Sequence, residues 1–520
     1  MQLTVTGASP PGPPVDLIGI IAFEEDLSDP SALTSLLTSW AQDPADAERA
    51  RERISAERFK ATPGQTLLLD SEGRSGAKRM AIVGAGSRSG FDVGRYRDPA
   101  AVLARTANNI GARSLLIAEH NSHPDIPSLE RLEAIAQGVL LGVYRFEKYL
   151  GVTKRATSAL ERTIIQITSG QLRDASPGVT ARAINTARAT CYARDLVNEP
   201  AGNLTPVALA NDIAGRAVKA GLEVTLLGPE QCRERGMGLF LAVAQGSSQE
   251  PRFIHLSWRP PAPRGRVVLI GKGVTFDSGG LSLKTNEGMQ DMKSDMAGAA
   301  AVLASILVAA EEKLPIEIHA LAACTENMPS GTAYKLGDVL RSMSGRTVEI
   351  NNTDAEGRLT LADALTYGLA LNPDVVLDFA TLTGACVVAL GPHTAGVMSN
   401  NDAIRDSWLA AARRAGEDMW PLPLPPRLME QLKSEIADLR NTGERWGGAL
   451  TAALFLREFI GTTPWVHVDL AGPATTTKEW GSFCKGATGF GVASIVEYLR
   501  GFAMEPRASV ADAVTPKSHA

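Results

Sequence analysis

The sequence predicts an α/β protein of two domains: a smaller N-terminal α/β domain, and a larger C-terminal α/β domain with a central mixed, largely parallel sheet flanked by helices. Three observations carry this. Short β-branched apolar runs alternate with helix-like segments along the chain. A Gly/Ser/Pro/Asp-rich stretch, Ser169 to Gly178, interrupts that alternation. At 520 residues and 44% hydrophobic, the chain has material for more than one core.

Taken in order, Leu17 to Phe23, Thr66 to Leu69, Met80 to Val83, Ser114 to Ala118 and Thr163 to Thr168 read as strands of a domain over 1–168. Within it, Val83 to Gly90 carries glycines spaced G-x-G-x-x-x-G, one residue longer than the dinucleotide fingerprint. A tight strand-to-helix turn accounts for them better. Residues 169–197 form a linker and a connecting helix, the Ala/Arg-rich Val179 to Val197. The second domain spans 198–502, with strands near Val224, Phe253, Val267, Ile316, Val348, Val375 and Val466. Residues 503–520 are polar and small, the composition of a mobile tail.

Composition excludes several classes. A net charge of −5 and a pI near 5.9 disfavour a strongly basic nucleic-acid surface. Five scattered cysteines with no C-x-x-C pair fit buried thiols in a reducing cytoplasm. The apolar stretch Ala297 to Ala310 is too short to span a bilayer. The chain opens without a cationic region followed by a hydrophobic run, so no secretory signal is expected.

Chemistry concentrates in two segments. Asn352-Thr353-Asp354-Ala355-Glu356-Gly357-Arg358-Leu359 places two carboxylates two residues apart between a strand, Thr347 to Ile350, and an Ala/Leu-rich helix. In an extended backbone that spacing turns Asp354 and Glu356 to one side, toward one centre. Upstream, the strand Arg266 to Ile270 runs into Gly271 to Gly280, which holds Lys272 and Asp277, followed by Lys284 and Asp295. Asp295 directly precedes a small-residue helix able to pack closely on a sheet, which leaves its carboxylate at a helix N-terminus.

Asp277, Asp295, Asp354 and Glu356 supply four negative charges on hard oxygen donors, a match for two divalent cations. All seven histidines fall outside these motifs, so neither a histidine zinc site nor a Ser-His-Asp triad has local support. Gly271-Lys272-Gly273 lacks the spacing and the Ser/Thr of a phosphate loop. Taken singly, these carboxylates and lysines would be ordinary surface groups, and Arg358 a structural ion-pair partner. Their joint pattern overturns that reading.

The octapeptide Asn352 to Leu359, together with Gly271 to Gly280, Lys284 and Asp295, resembles the catalytic motifs of the M17 leucyl aminopeptidase family. The likeness runs from about Arg194 to Gly489. It implies that the second domain is catalytic and hydrolyses N-terminal peptide bonds of short peptides, preferring leucine and similar residues. It further implies two divalent metal ions per subunit, Mn²⁺ or Zn²⁺. One would be held by Asp277, Asp354 and Glu356, with the Asp354 carbonyl; the other by Lys272, Asp277, Asp295 and Glu356. Such ions lie about 3.5–4 Å apart and share ligands. Lys272 would have to be neutral to coordinate, so occupancy weakens as pH falls. The resemblance gives Lys284 the stabilisation of the oxyanion. Arg358 cannot accept a proton itself, and is implied to hold a bicarbonate ion that can. Met292 and Thr381 would line the side-chain pocket, with Leu382 and Gly384 offering backbone contacts. A homohexamer in the cytoplasm is implied as well.

Two questions stay open at this level. An oxygen-rich site accepts zinc, manganese, magnesium or cobalt. A second reading has the chain act as a DNA-binding or scaffolding hexamer through its N-terminal domain, although nucleic acid is not favoured by the charge balance.

Overall fold

The strand-forming runs assemble into two separate principal sheets. A computed structural model describes residues 1–6, 14–38, 44–71, 76–118, 123, 125–155, 160–166 and 176–504. The linker residues 169–175 and the tail from 505 onward lie outside them. Two compact units emerge: Met1–Cys191 with Arg414–Gly416 and Thr476–Lys485, and Tyr192–Arg413 with Glu417–Thr475 and the residues from Gly486. The division falls inside one helix, Ser176–Asn198.

The first unit holds six strands: β1 (Gln2–Thr6), β2 (Val15–Phe23), β3 (Thr66–Asp70), β4 (Ala77–Gly86), β5 (Ser114–Ala118) and β6 (Arg162–Gln166). They form one sheet in the order β1-β6-β5-β2-β4-β3, parallel except for β3. Along β2 the side chains alternate between two cores. Leu17, Ile21 and Phe23 pack with the helices Arg97–Asn109 and Ser128–Gly142, while Ile18, Ile20 and Ala22 pack on the other face with Leu36, Leu37 and Ala50. The glycine-rich stretch after β4 is occupied from within: the Glu25 carboxylate accepts from the Ser87 hydroxyl at 2.8 Å and the Arg88 amide at 3.0 Å. It is a satisfied turn.

The second unit contributes β7 (Glu223–Leu227), β8 (Arg252–Trp258), β9 (Arg266–Asp277), β10 (Glu317–Asn327), β11 (Val339–Arg341), β12 (Thr347–Glu349), β13 (Val375–Ala380), β14 (Ala395–Ser399), β15 (Met419–Pro421), β16 (Leu439–Arg440) and β17 (Trp465–Asp469). Eight of these make the central sheet, in the order β15-β14-β17-β13-β9-β10-β8-β7. Its middle, β17-β13-β9-β10, is parallel, with antiparallel pairings toward both edges. The strand around Val348 does not join it. β12 instead pairs with β11 and β16 in a three-stranded sheet of its own.

The helix Ala297–Glu311 covers the middle of the large sheet at backbone distance. A Cβ on Gly298 would stand 2.0 Å from the Phe379 carbonyl oxygen, and one on Gly271 would stand 2.4 Å from Ala299 Cα. Glycine at both positions brings strand and helix into direct contact. The longer run Asn286–Glu311 has the length and apolarity of a membrane span, which the shorter stretch read from the sequence did not. Its most apolar window is 89% buried inside the fold, as in a core helix.

Candidate metal centre

Three of the four acidic ligand candidates sit where an element begins or ends, and the fourth, Asp354, lies in a turn. Asp277 is the last residue of β9, and Asp295 lies between a 3₁₀ turn, Met292–Ser294, and the helix Ala297–Glu311. Glu356 caps the helix Gly357–Leu369. The expectation of an extended Asp354–Glu356 segment is corrected here. Thr353 and Asp354 form a turn, and Glu356 already has helical φ and ψ of −74° and −35°. The two carboxylates converge because the turn folds them together. One oxygen from each of Asp277, Asp354 and Glu356 falls within 4.8 Å of the others.

Two lysines lie among these acids. Lys272 Nζ stands 2.7 Å from Asp295 Oδ1 and 2.8 Å from Glu356 Oε1, and donates to the Thr381 carbonyl at 3.0 Å. Lys284 Nζ stands 2.8 Å from Asp277 Oδ2 and 2.5 Å from Asp354 Oδ1. Gly357 makes room for the first lysine, since a Cβ there would meet Lys272 Cε at 2.6 Å. Asp277, Asp295, Glu356 and Lys272 are all buried, and the Asp354 side chain is 34% exposed.

Burial, with like charge, governs the electrostatics. It pushes the carboxyls of Asp295, Glu356 and Asp354 upward; for Glu356 and Asp354 the next cause is the repulsion of Asp277. Burial pulls Lys272 down, but Asp295, Glu356 and Asp277 outweigh it and hold the ammonium above its ordinary range. Lys284 is raised in the same way against its own burial, chiefly by Asp277. Arg358 is pushed down to about 10 by burial, with Glu356, Asp469 and Asp354 opposing.

The donor set fits divalent cations. Asp295 Oδ2 and Glu356 Oε2 are buried without a hydrogen-bond partner among the described residues, which is costly for carboxylate oxygens unless a cation completes them. Arg358 donates to the Asn441 carbonyl at 2.8 Å, and its Nε is buried with no hydrogen-bond partner among the described residues, a donor available to an anion.

The remaining candidates lie at the rim. Met292 opens the 3₁₀ turn before Asp295 and is half-buried. The Thr381 hydroxyl donates to Asp295 Oδ1 at 2.7 Å. The Leu382 amide donates to Asp469 Oδ1 at 3.2 Å. Gly384 is exposed and starts the helix Gly384–Leu390.

Sequence reasoning missed Asn327. Its Nδ2 donates to Asp277 Oδ1 at 2.8 Å and to the Thr353 carbonyl at 2.9 Å, joining the two motifs. The Tyr334 hydroxyl donates to the same carbonyl at 2.7 Å. A signal was present: β9, β10 and β17 end on Asp277, Asn327 and Asp469, all at the carboxyl edge where open sheets place their sites.

Fold and site together define a two-domain α/β protein with a buried carboxylate and lysine centre suited to cations. The chain belongs to the cytosol aminopeptidase family, whose catalytic-domain model matches residues 191–496 and whose N-terminal-domain model matches 22–151. It is similar to a probable cytosol aminopeptidase of Persephonella marina, 42% identical over 85% of this chain and 89% of that one. The corresponding protein of Thermosynechococcus vestitus is 41% identical over 96% and 99%. Among solved structures, a tomato leucine aminopeptidase mutant superposes with a TM-score of 0.84 at 33% identity, covering 96% of each chain. A bottromycin maturation enzyme in complex with Mn gives 0.80 at 35%, over 94% of this chain and all of that one. The family and these neighbours support aminopeptidase activity.

Proposed function

We propose that this aminopeptidase is metal-dependent and releases N-terminal residues from short peptides, with a preference for leucine and similar side chains. The observation that carries the reading is the convergence of Asp277, Asp354 and Glu356 on one point, beside the unpartnered oxygens of Asp295 and Glu356. Asp277, Asp354 and Glu356 would hold one divalent ion, and Lys272, Asp277, Asp295 and Glu356 the other, Mn²⁺ or Zn²⁺ in each case. When bound, such a pair polarises a carbonyl and lowers the pKa of water.

The chain's own residues do the rest. Lys272 would have to lose its proton, and with it the ion pairs to Asp295 and Glu356, to serve as a ligand. Lys284, held as an ammonium by Asp277 and Asp354, donates to the oxygen on which charge develops. Arg358, which cannot itself take a proton, would hold a bicarbonate through its guanidinium donors, and such an anion would supply the proton-accepting group. Met292 and Thr381 face the substrate's first side chain; the Leu382 carbonyl and Gly384 position its backbone. The working assembly is a cytoplasmic homohexamer.

The test is hydrolysis of leucyl-p-nitroanilide by metal-stripped protein, titrated separately with Mn²⁺ and Zn²⁺, beside Asp354→Ala and Glu356→Ala. Restored turnover that both substitutions abolish is the expected result. No turnover with either metal in folded, assembled protein would sink the reading.

A further inference from the structure

Asp469 belongs to none of the motifs, yet the turn Thr381–Gly384 hangs on it. The residue ends β17 and is 0% exposed. Its Oδ1 accepts from the amides of Leu382 at 3.2 Å, Thr383 at 3.4 Å and Ala471 at 3.2 Å; its Oδ2 accepts from the Thr383 hydroxyl at 2.7 Å. That hydroxyl oxygen accepts in turn from the Cys386 amide at 3.0 Å, capping the helix Gly384–Leu390. A buried carboxylate satisfied by this many donors resists rotation, because any movement of the turn strips charge-assisted hydrogen bonds in a dry interior.

What the turn holds is the metal centre. One residue before this clamp, Thr381 accepts from Lys272 through its carbonyl and donates to Asp295 through its hydroxyl. Lys272 comes from β9 and Asp295 from the segment before the helix Ala297–Glu311, so their meeting point is set by a third segment. The register of β13 on β17 places Ala380 opposite Asp469. The carboxylate therefore begins its work where the strand ends.

We infer that Asp469 is a positioning residue for the centre, fixing the Thr381–Gly384 turn so that Thr381 keeps Lys272 and Asp295 in place for the second cation. This rests on the two-metal reading above. It differs from a stabilising role in one respect: removing the carboxylate loosens one cation and spares the other.

The experiment is calorimetric titration of metal-stripped, full-length protein with Mn²⁺, for the wild type, Asp469→Ala and Asp469→Asn, with kcat and KM on leucyl-p-nitroanilide measured alongside. Asparagine keeps an acceptor oxygen for the three amides. The wild type is expected to bind two Mn²⁺ per chain. Asp469→Ala is expected to bind one of them roughly 10–100-fold more weakly, with the other unchanged, as for loss of a group that orients ligands. Asp469→Asn is expected to recover most of that loss. Folded Asp469→Ala that binds both ions like the wild type, with kcat and KM intact, overturns the inference while leaving the aminopeptidase reading in place. Should Asp469→Ala fail to fold, Thr383→Val against Thr383→Ser asks the same question of the hydroxyl link. Weakened binding only in the valine variant supports the inference, and wild-type binding in both overturns it. A wild type that neither binds Mn²⁺ nor turns over removes the underlying reading and the inference with it.

Discussion

Lys272 Nζ lies 2.7 Å from Asp295 Oδ1, and both side chains are 4% exposed. This is a buried ion pair at the place where a cation is proposed to bind, and its ammonium is the local counter-charge for two acids.

Lys272→Met removes that counter-charge and leaves Asp295 and Glu356 buried against each other. Breaking a buried pair from one side costs about 3–5 kcal/mol. The metal-free variant is therefore expected to melt well below the wild type, with Mn²⁺ restoring part of the difference. Equal melting temperatures without metal would show that Lys272 is not needed as a cation.

Arg358→Lys keeps a positive charge but loses the planar fork of donors. With Arg358 as the holder of the proton-relaying anion, kcat is expected to fall by roughly 10²-fold or more while KM changes little. Steady-state kinetics at saturating metal decide it. A loss confined to KM would make Arg358 a substrate-binding group instead.

Stability is expected to fall in acid through a network remote from the centre. His255 Nδ1 lies 3.1 Å from the Tyr367 hydroxyl and its Nε2 lies 3.0 Å from His319 Nδ1; His319 Nε2 is 3.1 Å from Glu317. Burial, then the charges of His319 and Arg259, depress His255 from 6.5 to about 4. The unfolded chain takes up a proton below 6.5 that the folded chain refuses until about 4. Stability is thus intact above that window and declines as pH falls through it, by up to about 3 kcal/mol at 1.36 kcal/mol per unit. Urea midpoints at pH 7.5, 5.5 and 4.5 would show a smaller decline in His255→Gln.

The glycine contact between sheet and helix yields a paired comparison. Gly298→Ala drives a methyl into the Phe379 carbonyl, whereas a Cβ on Gly331 meets nothing within 4 Å. Overpacking of this kind costs typically 1–3 kcal/mol. Thermal melts are expected to separate the two variants, with Gly331→Ala close to the wild type.

The sequence is legible where function is written locally. Asp354 and Glu356 share one octapeptide, and Asp277 shares a segment with Lys272, so residue type and spacing single them out as candidates, and the fold brings them together. β5 is readable to the residue because Ser114 to Ala118 is a bounded apolar run. Val348 misleads for the same reason: a short β-branched run signals a strand but not its sheet, and β12 found partners in β11 and β16. β1 is half-exposed and short, too weak a signal to notice. Asn327 and Asp469 gain meaning only from what folding brings against them, and a lone polar residue after an apolar strand discloses little by itself.

The placement of β12 outside the large sheet has a consequence for how the protein comes into being. Asp277 ends a strand of the central sheet and Asp295 precedes its covering helix, Asp354 and Glu356 follow a strand of a separate sheet, and the hydrogen bonds to Leu382 and Thr383 wait for Asp469 near the end of the chain. A ribosome must deliver 356 of the 520 residues before the last of these acids exists, and 469 before Asp469 does. The set of acids is thus completed late in synthesis, and the nascent chain passes most of its length without it.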